Sequence, residues 1–332
     1  MSLPPVEIPL GAMRFNSDSQ KLEYWMGSAW MQIQTFSPNL DGGARGLFGG
    51  GSPGLNLIEF ITISTAGNAT DFGDRTVQRG ELASCSSKTR GVWWGGTRDP
   101  VGSTNVIDFV TITSTGNAQD FGDLPDQKKE IAGCSNETRG LCAGGGSGDA
   151  NTIHFITIAS TGNSGDFGDL SFSNNVISCT QSPTRGLFMN RNEPSGSPRI
   201  DFVTFATTGN SQEFGENSDA RYGATSMVCS STRGIFAGGY SPGITNLIEF
   251  VTTATLGNTT NFGDLTQAGY MMCGCSSSTR GVIGARGIHP AGVSNIIDYI
   301  NISTAGDAVD FGDAITARQS SAGCSNGHGG LG

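Results

Sequence analysis

One phrase recurs six times along this chain, and its period restricts the possible folds more than any other feature. Arg-Gly marks each copy at Arg45, Arg90, Arg139, Arg185, Arg233 and Arg280, at intervals of 45 to 49 residues. A Phe-Gly pair keeps the same step, at Phe72, Phe121, Phe167, Phe214, Phe262 and Phe311. So does a cysteine, at Cys85, Cys134, Cys179, Cys229, Cys275 and Cys324. Such periods belong to solenoids and propellers, whose units bury their apolar faces against their neighbours.

The copy from Thr232 to Ser278 reads as four strands. Arg233 to Ala237 is an apolar run stopped by Gly238-Gly239, and Asn246 to Thr253 alternates apolar and polar. Leu256-Gly257-Asn258 turns the chain into a strand anchored by Phe262, and Tyr270 to Ser276 supplies a fourth. No helical spacing of apolar residues interrupts this pattern. Four strands per period predict an all-β, six-bladed β-propeller over residues 41–332. The small side chains around each repeat cysteine, as in Ala132-Gly133-Cys134-Ser135, place that strand innermost. The first copy has no preceding cysteine strand, whereas the last has an extra one between Arg318 and Ser325. The ring is therefore expected to close with this C-terminal strand in blade one, which removes open edges.

The repeats resemble kelch-type propellers. Gly49-Gly50, Gly95-Gly96, Gly144-Gly145 and Gly238-Gly239 end a strand as the kelch double glycine does, and a strand with Glu59, Asp108, Asp201, Glu249 or Asp298 follows. Kelch repeats usually carry Trp where this chain has Phe72 and Phe121, and the fourth copy replaces the double glycine with Met189-Asn190. The resemblance implies a fold; kelch propellers have many unrelated functions.

Residues 1–40 stand outside the repeat and read as a small β-meander. A meander of this size buries too little surface to stand alone, so Phe15, Tyr24, Trp25 and Trp30 are candidate docking or oligomerisation residues. The phrase Gly-Ala-Met-Arg-Phe-Asn-Ser, followed by Lys-Leu-Glu-Tyr-Trp-Met-Gly-Ser-Ala-Trp, is similar to hairpin modules of tailed-phage virion proteins, notably tail fibres. Joined to a kelch-like array, it resembles structural proteins of cyanophages and other marine phages. That likeness implies a virion protein, docked to other virion chains through residues 1–40 and homo-oligomeric, by analogy a trimer. It would be a tail fibre or surface appendage displaying its propeller to a host-surface glycan or protein. A purely architectural decoration, nozzle or collar protein is the rival, and a bacterial carbohydrate-binding propeller is a third reading.

Net charge is −10 with no Lys/Arg cluster, which argues against nucleic-acid partners. No apolar run is long enough to span a membrane, and Met1-Ser2-Leu3-Pro4-Pro5 lacks a signal pattern, so a soluble chain outside the secretory route is expected. The three histidines, His154, His289 and His328, are scattered, and no nucleophile-base set follows from spacing. The six Asp-Phe-Gly or related matches lack the other kinase motifs and read as packing anchors. No CxxC pattern supports a metal or redox site, and the repeat cysteines read as small fillers of a crowded strand. We therefore expect no enzyme activity, no cofactor and no metal. The paired aspartates Asp71/Asp74 and their equivalents suit turns better than calcium.

Individuality lies in the loops after the first strand of each repeat. Candidate binding residues there are Trp93, Trp94, Arg98, Asp99, Arg191, Asn192, Glu193, Tyr240 and His289. Loops on a rigid scaffold commonly carry recognition, although unconstrained solvent loops would look the same. For the tryptophans, packing of at least one is the competing role. The repeat arginines could line a ligand surface, but they are expected rather to tie adjacent units through backbone carbonyls or a neighbouring carboxylate.

Overall fold

The computed structural model describes residues 8–16, 21–32, 44–146, 150–173, 178–189, 198–224, 227–240, 242–290 and 292–331. The chain is all-β and divides into two compact units, Met1–Gly42 and Gly43–Gly332. In the first, Met13–Asn16, Lys21–Trp25 and Trp30–Gln32 form an antiparallel sheet in chain order.

In the second unit, six antiparallel sheets follow one another. The third is typical: Ala132–Ser135, Arg139–Ala143, Thr152–Thr157 and Gly165–Asp169 pair in that order. Each sheet thus has a cysteine strand, an arginine strand, a carboxylate strand (His154 takes that place here) and a phenylalanine strand. The sheet is out of phase with the sequence repeat. Cys273–Ser276 pairs with Arg280–Ile288 of the following copy, not with the Thr232–Ser278 copy that contains it. The same shift puts Ala322–Ser325 beside Arg45–Gly49, Leu57–Thr62 and Thr70–Asp74 in the first sheet. In the fifth sheet the cysteine strand is reduced to an isolated bridge, Cys229 to Gly234.

Three sets of contacts connect each sheet to the next and the sixth to the first. Among the cysteine strands, Ser86 Oγ donates to Ser325 O (2.8 Å), Ser135 Oγ to Ser86 O (2.8 Å) and Cys179 Sγ to Gly133 O (2.7 Å). Met227 N continues the series to Cys179 O (3.1 Å), followed by Ser276 Oγ to Met227 O (3.3 Å) and Ser325 Oγ to Ser276 O (2.5 Å). At the phenylalanine strands, Ala118 N donates to Asp74 O (2.7 Å), and the equivalent bond returns from Ala69 N to Asp313 O (2.8 Å). The repeat arginines make the third set. Arg45 lies 4.6 Å from the Phe60 ring centroid and donates to Ile112 O of the next sheet at 3.0 Å. Arg280, over Tyr299, closes the series on Ile63 O at 3.1 Å. The arginines therefore tie adjacent sheets, and of the two partners expected for them these are the carbonyls.

Repeat residues explain how closely the sheets approach. A Cβ on Gly140 would lie 2.5 Å from Cys85 Sγ of the preceding sheet, so the residue after the repeat arginine has no space for a side chain. At Gly73, φ is +144° and a Cβ would lie 2.5 Å from Gly116 O, the turn of the next sheet. The Phe-Gly phenylalanines are buried, each meeting an aromatic ring on the carboxylate strand edge-on, as in Phe109–Phe121 at 5.7 Å. All eight cysteines are buried, and burial raises the Cys142 thiol to about 12.

The carboxylate strand has a role that its spacing did not reveal. Arg79–Asp108 (2.5 Å), Arg318–Glu59 (2.5 Å), Arg221–Glu249 (2.6 Å) and Arg286–Asp298 (2.8 Å) are buried ion pairs. Burial lowers the Arg79 pKa, and the Asp108 charge opposes that shift. In the third sheet His154 and Lys128 replace the two partners, and burial lowers the His154 pKa, helped by the Lys128 charge.

Residues 327–331 lie against the cysteine strands. His328 is buried, its Nε2 3.2 Å from Ser86 O; its Nδ1 accepts from Gln181 Nε2 and Gly330 N, each at 3.2 Å. Gly329 N donates to Cys229 O at 3.4 Å, so this segment touches three sheets.

Candidate functional site

The loops after the arginine strands emerge beside the segments that lead into the cysteine strands, and the backbone pairs them at four sheets. The bridges are Ser52–Gln319, Gly80–Thr97, Tyr222–Tyr240 and Tyr270–Gly287. Non-regular loops are thereby held by antiparallel hydrogen bonds to the frame, for example Tyr240 N to Tyr222 O at 2.9 Å and Tyr222 N to Tyr240 O at 3.3 Å.

At the fifth and sixth sheets this pairing assembles an aromatic cluster. Tyr240 packs on Tyr222 at 5.4 Å with a 37° tilt, on Tyr270 at 5.9 Å and on the His289 ring at 5.9 Å. The tyrosines are half-buried and His289 is exposed. Gly287 makes room, since a Cβ there would lie 2.6 Å from the Tyr270 ring. Three of the five tyrosines of the chain meet here. Partly exposed rings with polar tips suit a ligand that has both an apolar face and hydroxyls. The sequence reading picked out Tyr240 and His289, and the structure brings them together. It missed Tyr222 and Tyr270. Their signal was available: both lie shortly before a repeat cysteine, where the other copies carry smaller or charged residues.

One residue further along each leading segment is a rim of left-handed backbone. Glu81 (φ 55°), Glu130 (φ 56°), Met271 (φ 51°) and Ser320 (φ 57°) occupy equivalent places. Each passes its N–H to the adjoining sheet: Ser320 N to Met271 O (2.9 Å), Glu81 N to Ser320 O (2.9 Å) and Glu130 N to Glu81 O (2.8 Å). The rim borders a half-open pocket of about 60 Å³. Glu81 Oε2 accepts from Thr97 Oγ1 at 2.6 Å, and Lys129 Nζ lies 3.7 Å from Glu81 and 3.6 Å from Glu130.

Glu81 also borders a cleft of about 350 Å³ between the loops of the first two sheets. Arg98 and Asp99 line this cleft together with Pro53, Thr97 and Pro100. Arg191, Asn192 and Glu193 lie outside the described residues.

Trp93 and Trp94 need correction as ligand candidates. Both are 0% exposed. Trp93 Nε1 donates to Ala322 O of the first sheet at 3.1 Å, and Trp94 Nε1 lies 3.3 Å from Cys85 Sγ. A strand normally shows one of two adjacent side chains to each face; here each face lies against a neighbouring sheet, so both rings become core.

In the N-terminal unit, the Trp25 and Trp30 rings meet at 5.5 Å with a 53° tilt, and Arg14 covers Trp30 at 4.2 Å. The register aligns Met13, Tyr24 and Met31 across the three strands as an exposed apolar row, with Phe15 two residues along. Compared with protein-family models and with curated proteins, the chain matches none.

Proposed function

We propose that the chain is a non-enzymatic structural protein of a tailed-phage virion, a tail fibre or surface appendage whose six-bladed, kelch-like propeller recognises host-surface glycan. The cyclic succession of sheet-to-sheet hydrogen bonds, returning from the sixth sheet to the first, supports the propeller. The phage assignment rests on the resemblance of the N-terminal phrase and the repeats. The apolar row of Met13, Tyr24 and Met31, with Phe15, supports docking of residues 1–40 to other virion chains or to sister copies in a trimer.

The observation that carries glycan recognition is the Tyr222–Tyr240–Tyr270–His289 cluster on loops held rigidly by the frame. Stacked rings with accessible faces bind the C–H face of a sugar, while hydroxyl tips and nearby polar groups take its hydroxyls. Screening the purified protein against glycans from candidate host surfaces tests this. Binding by the wild type, weakened at least tenfold in Tyr240→Ala without loss of the folded state, is the expected result. Failure of every glycan to bind removes the recognition role. Electron cryo-microscopy of the particle provides a separate check, since the loops must then face solvent.

A further inference from the structure

The sequence has no basic cluster, yet the fold makes one at the cleft between the loops of the first two sheets. Arg75, Arg79, Arg98 and Arg318 come close enough that Arg79 and Arg318 both act on Arg75 through their charges, and Arg98 acts on Arg79. Buried carboxylates neutralise two of the four, Arg79 by Asp108 and Arg318 by Glu59. The other two have no such counter-charge. Arg75 is 3% exposed and donates to the carbonyls of Leu55 (2.7 Å) and Arg79 (2.5 Å); its Nε and Nη1 have no partner among the described residues. Burial, aided by the Arg79 charge, lowers its pKa to about 9, so it stays charged at neutral pH. Arg98 lines the cleft, half-buried, with no ion pair or side-chain hydrogen bond among the described residues.

These two charges act differently. Arg75 is sealed from any ligand, but the carbonyls it holds belong to Leu55 and Arg79, next in sequence to the lining residues Gly54 and Gly80. It fixes the wall of the cleft and gives it a positive potential through buried surroundings, where charge is weakly screened. Arg98 is the cation that an incoming ligand touches. Of the carboxylates lining the cleft, Glu81 is engaged by Thr97 and Lys129, and Asp99 is exposed, so water screens it. The balance favours an anion of single charge. A guanidinium takes a planar carboxylate on two parallel N–H groups, whereas a doubly charged phosphate would find one cationic side chain and two carboxylates. At about 350 Å³ the cleft has the size of a small-molecule site and admits a sugar ring with its charged group, and Pro53 and Pro100 supply apolar surface.

We propose that this cleft is a subsite for a uronic acid residue, its carboxylate on Arg98, within the glycan that stacks on the tyrosines; the proposal rests on the glycan reading above. Gln319 joins the two places. Its backbone bridges to Ser52 of the cleft, and a Cβ on Gly287 would meet both its Oε1 and the Tyr270 ring. The test titrates oligosaccharides of galacturonate, glucuronate and mannuronate, each beside its neutral methyl ester, against the intact protein by calorimetry at low and high salt. At least one acid is expected to bind at least tenfold tighter than its ester, with the difference shrinking as salt rises. Arg98→Gln should remove most of that preference while a thermal melt reports an intact fold. Equal binding of acid and ester, binding confined to neutral sugars, or a preference that survives Arg98→Gln overturns the subsite and leaves glycan recognition standing. A wild type that binds no member of the wider glycan panel overturns both.

Discussion

Gly140 lies under Cys85 with no room for even one methyl. Gly140→Ala should therefore destabilise the protein by about 1–3 kcal/mol, the usual effect of overpacking, visible as a lower urea midpoint. Asp108 has a different role, since it is the counter-charge of a fully buried arginine. Asp108→Asn strands Arg79 and should lower stability by about 3–5 kcal/mol in the same assay. At this scale the sequence was partly legible. Arg45 and its equivalents tie adjacent sheets as expected, though whether through carbonyls or carboxylates was open, and the phenylalanines of Phe-Gly are buried anchors. Trp93 and Trp94 misled because local sequence does not tell how many faces of a strand are covered. The partners of Glu59 and Asp108 were hidden too, since Arg318 and Arg79 come from the segments before cysteine strands, 259 and 29 residues away.

Between residue and molecule, the cysteine strand distinguishes the sheets. Five of the six sheets have it as a regular strand, whereas in the fifth only the Cys229–Gly234 bridge remains. With fewer ladder bonds, amides of residues 227–229 should exchange with deuterium at least tenfold faster than those of Ala132–Ser135, as mass spectrometry of peptic fragments would report. An equal rate would mean that the bonds from Cys229 N to Ser276 Oγ and from Met227 N to Cys179 O replace the missing ladder. The phase between repeat and sheet was legible only at the ends, where the unmatched first and last copies required Ala322–Ser325 to join Arg45–Gly49. Inside the array each cysteine strand could pair backward or forward without changing the period. The aromatic cluster was half legible for a similar reason: Tyr240 and His289 sit in divergent loops, while Tyr222 and Tyr270 enter through backbone pairing across the sheet.

For the molecule as a whole, His328 couples the sheets to pH. Burial depresses it to about 4 from an ordinary 6.5, and its Nδ1 already faces two donors. The folded state thus refuses a proton that the unfolded chain accepts. The stabilisation is complete above about pH 6.5 and is lost as pH falls toward 4, by about 3 kcal/mol across that window. Urea titrations at pH 7, 5 and 4 should show the wild type losing stability more steeply than His328→Gln; parallel slopes would assign the loss to other groups. The first sheet, assembled from both ends of the repeat array, has its own consequence for biosynthesis. While the chain is still on the ribosome, Arg45–Gly49 is made long before Ala322–Ser325, so this sheet waits with an unpaired edge until that strand has emerged. A messenger truncated before that last strand would therefore yield a product prone to join its neighbours rather than a smaller working copy.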